Sequence, residues 1–191
     1  MLKRCLLTML KKDWTQQGKA FLLIFAVMFA LAFVTQEQWR IGGMSVIVFT
    51  SSYYYVYNVY TKEVGRRTME MMLGLPIPPV YLIIAKFVAV YSMGLVTVNV
   101  PGALLLDQNV LYLLNAEMLF VSTLSMTFSV MWANPLAAAA PLVPILLAFQ
   151  QPDSFNRFRP YEYPAATAAL ALLPVMVGAS VLLFKRRARV R

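Results

Sequence analysis

The chain has 191 residues, of which 60% are hydrophobic and 13% charged, and its mean hydropathy is +0.66. Soluble domains run nearer to half apolar and a quarter charged, so the composition excludes an ordinary soluble fold and predicts an integral membrane protein. The net charge of +9 is gathered at the ends of apolar runs rather than on an independent patch, which argues for membrane topology and against nucleic-acid binding.

Residues 1–13 place Leu2, Cys5, Leu6, Met9 and Leu10 on one helical face and Lys3, Arg4, Lys11 and Lys12 elsewhere. That is the pattern of an amphipathic helix lying in the membrane interface. Its apolar part is too short and interrupted for a signal-peptide core, so it is expected to be retained. Trp14 suits an interfacial anchor. The first span is expected over 20–34, where about 15 residues cover only some 22 Å, so Lys19 snorkels or the ends extend to Gln16 and Gln36. The second, over 41–60, carries Thr50, Ser51 and Ser52 near mid-depth and a group of tyrosines toward its inner end. Tyr53 and Tyr57, one turn apart, belong either to an aromatic belt and helix contacts or, with Ser51, to a substrate path.

A charged segment, Lys62 to Lys86, follows. Arg66, Arg67 and Glu70 fall on one side of a helical wheel and Met69, Met72 and Leu73 on the other, which predicts a short amphipathic helix. Thr61 is its expected N-cap, Glu63 its first-turn acid, and Gly74 with Pro76, Pro78 and Pro79 its end. Such a helix, wedged between two spans, suits docking into a groove on another protein. The third span, 80–100, is expected to stop at Pro101-Gly102. Lys86 lies about 10 Å inside its boundary and is expected to reach the headgroups rather than to serve a substrate or a proton.

The fourth span, 110–132, holds Glu117, the one carboxylate well inside an apolar run. It either lines a pathway or helix interface or reaches the outer headgroups. The fifth, 136–149, is short and interrupted by Pro141 and Pro144. The longest outer loop, 150–164, leads to the sixth span at 165–184 and a basic tail. Basic residues number 13 in the N-terminal stretch, the second-to-third loop and the tail, against three, Arg40, Arg157 and Arg159, on the other side, with Lys86 set aside. This asymmetry places both termini in the cytoplasm. No repeat or linker divides the chain, so 1–191 is expected to be a single transmembrane domain.

Glu63, Thr68, Glu70, the Met72-Leu73 pair, Leu75-Pro76 and Lys86 ten positions after that proline resemble the signature of type-2 ABC exporter permeases, the membrane subunits of bacterial ATP-driven exporters. Two features depart from it: Arg67 stands where the family usually has Gly, and Pro78-Pro79 where it usually has a Ser-Arg type pair. The resemblance implies an all-α integral membrane protein with six transmembrane helices, an N-terminal amphipathic elbow helix at about 1–13 and a cytoplasmic coupling helix between spans 2 and 3. On that stretch Glu63, Arg66, Thr68, Met69, Glu70, Met72, Leu73, Leu75 and Pro76 would meet a separate ATPase subunit, which would bind ATP and magnesium. A second permease copy or a sister permease would complete the pathway in a bacterial cytoplasmic (inner) membrane. Small permeases of this layout tend to export amphipathic peptides, antimicrobial compounds or lipophilic drugs.

No chemistry is expected within the chain itself. Cys5 is the single cysteine, which excludes an internal disulfide, and the lack of histidine removes the commonest metal ligand and general base. No Gly-x-x-x-x-Gly-Lys-Ser/Thr stretch occurs, so a nucleotide that drives transport must be bound by another polypeptide. No catalytic residue, cofactor or metal site is expected, and the expected partners are the ATPase subunit, a further permease and membrane lipid, not nucleic acid. The competing reading is an ATP-independent polytopic scaffold or an immunity-type protein that sequesters or blocks a toxin.

Overall fold

The computed structural model describes residues 2–33, 37–65, 78–132 and 162–190. Among these, only Phe33, Pro78, Leu106 and Asp107 fall outside a helix, so the described chain is all-α. The span expected at 136–149 lies outside the described residues, as do Arg66, Thr68, Met69, Glu70, Met72, Leu73, Leu75 and Pro76. Four helical stretches are long and apolar enough to cross a bilayer: Leu6–Ala32, Pro79–Leu104, Gln108–Trp132 and Thr167–Arg186. They mark the chain as a membrane protein.

The first helix, α1 (Leu2–Ala32), is one element of 31 residues, about 46 Å long. The separate interfacial helix expected over 1–13 is therefore absorbed into α1, and the apolar stretch begins at Leu6 rather than at residue 20. Asp13 and Gln17 interrupt the hydropathy of this stretch but not the helix. Four residues apart, they share one face and point into protein, at 1% and 5% exposure.

Helix α2 (Glu37–Val56) runs on through a π-helical segment, Tyr57–Thr61, into α3 (Lys62–Gly65). Thr61 thus caps nothing. It is buried and shares a hydrogen bond with Ser129 (3.1 Å), while the Lys62 N–H reaches back five residues to the Tyr57 carbonyl. Glu63 accordingly continues a long rod and is not in the first turn of a new helix. The expected second span, 41–60, is absent from the four apolar helices because its hydroxyls and tyrosines lower its hydropathy. It packs instead against α1 and the two helices that follow α3.

Helix α4 (Pro79–Leu105) starts with proline in its first turn, where the missing N–H is harmless. It also passes through Pro101 instead of stopping there, because that proline falls in the last turn and the Leu106 N–H still closes on the Gly102 carbonyl at 2.9 Å. Gly102 permits the tight return into α5 (Gln108–Trp132): a Cβ there would lie 2.5 Å from Leu111 Cδ1. The last described helix is α6 (Glu162–Val190).

Helix α4 is central and touches α1, α2, α5 and α6. Reciprocal amide bonds between Asn99 and Asn115, each 2.9 Å, and the Tyr91–Thr123 hydroxyl pair set α5 antiparallel to α4. Lys86 to Asp13 and Trp14 to Ser92 set α1 parallel to α4. Ser45 to Glu117 and Thr61 to Ser129 align α2 with α5, and Tyr112 to Thr167 and Thr127 to Ser180 align α6 with α5. Consecutive helices α5 and α6 therefore run in the same direction. Such polar pairs bind helices together in lipid, where burial of apolar surface supplies no drive. One apolar core, around Tyr55, Ile83, Phe87 and Met126, lies toward the start of α1; a second, around Met28, Met44, Val98 and Met118, lies toward its end. Leu22 and Leu23 of α1, Phe33 just after it, and Leu172, Val175 and Leu182 of α6 face outward.

Candidate functional site

Two turns into α4, Lys86 turns away from the outer surface and is only 1% exposed, between the buried Leu82, Ile83 and Phe87. A lysine in that position is stable only if carboxylates and hydrogen bonds replace its water. They come from two other helices. Asp13 of α1, also 1% exposed, accepts from Nζ through both oxygens at 2.9 and 3.0 Å. Glu63 of α3, 7% exposed, brings Oε2 to 2.7 Å from the same nitrogen, without the alignment of a hydrogen bond, so this contact is Coulombic. The other oxygen, Oε1, accepts from Lys12 at 2.6 Å, and Lys12 is partly exposed.

The four charges sum to zero. Low dielectric strengthens each attraction but also makes any unmatched charge costly, so the cluster is stable as a whole and not by halves. It fastens three elements at one point, and the point lies immediately before the stretch 66–77.

The remaining expected site residues do not join it. Ser51 is buried, and its hydroxyl donates to the Val48 carbonyl of its own helix at 3.0 Å. Tyr53 and Tyr57 stack on one another, with ring centroids 6.1 Å apart, and Tyr53 packs on the first core. Glu117 accepts from Ser45 of α2 beside Leu114 and Met118 of the second core. These residues are spread along the bundle rather than gathered around one cavity.

Lys86 thus corrects the expectation of a side chain reaching the headgroups: its length would allow it, but two buried carboxylates hold it inside. Asp13 escaped sequence reasoning altogether. The available signal was a charge in the third span that needs a counter-ion, with only eight acids in the chain to supply it. Among the described residues no group of three or more His, Cys, Asp or Glu could hold a metal ion. The chemistry this arrangement offers is electrostatic fastening of α1, α3 and α4. Compared with models of known families, with characterised proteins and with solved structures, the chain matches none.

Proposed function

We propose that this chain is the membrane subunit of an ATP-driven exporter, working with separate ATPase subunits and a second permease. The observation that carries this reading is the fastening of Glu63 to Lys86 and Lys12. Whatever moves the 66–77 stretch pulls on a residue tied to α1 and α4 at once, so a push from outside the membrane is delivered to two spans. An ATPase that binds ATP and magnesium and docks on Met69, Met72 and Leu73 is the partner suited to such a lever.

A layout of six passes in a bacterial cytoplasmic membrane, with both termini inside, belongs to the same proposal. Its support is the parallel packing of α5 and α6, because the chain from Trp132 to Glu162 has to return to the end where α5 began. The cargo in this reading is an amphipathic peptide, an antimicrobial compound or a lipophilic drug, matched by aromatic and methionine side chains in the spans.

Met72→Asp tests the coupling surface. A charge placed in a desolvated contact there weakens docking by about 2–5 kcal/mol, by comparison with other buried interface positions. The expected result is normal expression, poor co-purification of the ATPase and loss of substrate-dependent ATP hydrolysis, with Arg66→Lys doing much less. A Met72→Asp protein that kept its ATPase and its export activity would instead favour an ATP-independent scaffold or immunity protein.

A further inference from the structure

Where α1 and α4 begin, they leave an apolar groove of about 360 Å³ between them. Leu6, Leu7 and Leu10 form one wall and Tyr81, Ile84 and Val88 the other. Leu7, Tyr81, Ile84 and Val88 are exposed, so the groove opens outward, on the side of α4 away from Lys86. Its depth follows from the spans: the apolar stretches of α1 and α4 start at Leu6 and Pro79, which sets the groove at the level of acyl chains just inside one boundary.

Charge flanks this apolar surface in a specific way. Arg4 and Lys11 stand three residues before and four after Leu7, on the same face of α1, and both are exposed. Arg4 precedes the apolar stretch and lies at headgroup level, and Lys11 can extend its four-carbon stem along the groove to the same level. Tyr81 adds a ring of the kind found at bilayer boundaries. An apolar slot capped by two cations matches a molecule with a hydrocarbon tail and a negative head. A second copy of this chain, at net charge +9, is the poorer electrostatic match.

We propose that this groove is a selective site for an anionic phospholipid, with an acyl chain between α1 and α4 and the phosphate between Arg4 and Lys11. The site is independent of any transport activity, and it holds a lipid against the two helices that share the Asp13–Lys86 pair.

Trp14, one turn beyond Leu10 on α1, reports on the groove. In a Trp39→Phe/Trp132→Phe protein it is the single tryptophan, and it can be reconstituted in phosphatidylcholine bilayers containing brominated phosphatidylglycerol or brominated phosphatidylcholine. Brominated phosphatidylglycerol is expected to quench Trp14 at lower mole fraction, with a preference of about fivefold for each basic residue near the surface and roughly 25-fold for the pair. In the Arg4→Gln/Lys11→Gln variant the preference falls to unity while quenching by phosphatidylcholine persists, which also shows that the protein is folded. Val88→Phe, which fills the groove, reduces quenching by both lipids. Equal quenching by the two lipids in the parent protein would overturn the proposal, leaving ordinary boundary lipid. A preference that survives in the double variant would overturn it by placing the selectivity elsewhere. Absence of quenching by either lipid would overturn it by showing that a protein surface, from this chain or a second copy, fills the groove.

Discussion

Lys86 carries three donors into a place water does not reach, and the residues around it answer as a set. Removing one member leaves a net charge behind: Lys86→Met leaves two carboxylates with one partly exposed lysine, and Asp13→Asn leaves two lysines to share Glu63. Each is expected to lower stability by about 3–5 kcal/mol. The double variant Asp13→Asn/Lys86→Met keeps the Lys12–Glu63 pair balanced and should recover most of that loss in detergent thermal unfolding. Losses that simply add would mean the two residues do not share one site. The sequence revealed half of this cluster. Glu63 and Lys86 stand out in the sequence as charges flanking and entering an apolar run, and the position of Lys86 relative to the boundary says how far it can reach. It says nothing of what lies beside it, and Asp13, 73 residues away, is invisible to any local window.

The π-helical turn at Tyr57–Thr61 accommodates one extra residue ahead of α3. Deleting Asn58, a partly exposed residue within it, would return the rod to α-helical closure, and because four α-helical residues turn nearly as far as five at the slower π-helical pitch, Glu63 would still face Lys86 and Lys12. The deletion should lower the unfolding temperature less than Glu63→Gln does. Glu63→Gln added on top of the deletion should still cost its full increment, and no further loss would show that the ion pairs depend on the π-helical turn. Among the helices, the sequence marked α4, α5 and α6 close to their observed limits, since long apolar runs state their own length. It suggested two pieces, 1–13 and 20–34, where α1 is one helix, because Asp13 and Gln17 on a protein-facing stripe lower hydropathy without ending a helix. It also placed a boundary at Thr61, whose small polar side chain suits a cap equally well as the buried contact with Ser129.

For the whole molecule, helix directions are the testable quantity. Asp107, between α4 and α5, and Lys185, near the end of α6, lie at opposite ends of the bundle and are both exposed. In a Cys5→Ser background, an impermeant maleimide applied to intact cells should label Asp107→Cys and spare Lys185→Cys, with both labelled after lysis. The sides follow from the 13-to-three distribution of basic residues. Equal labelling in intact cells would contradict the antiparallel and parallel pairings, and the reverse pattern would invert the orientation. Composition alone made the membrane class legible; the pairing of helices was not, because it rests on hydroxyl and amide contacts between positions far apart in the chain.

The ion cluster also constrains the order in which the protein can be made. Asp13 leaves the ribosome 73 residues ahead of Lys86, so at 5–20 residues per second its counter-ion arrives roughly 4–15 s later. Throughout that interval α1 holds an acid that lipid does not accept, and it has to wait at the insertion machinery or in the interface for α4 to emerge. Helix α1 is thus expected to settle into the bilayer only once α4 has followed it out of the ribosome.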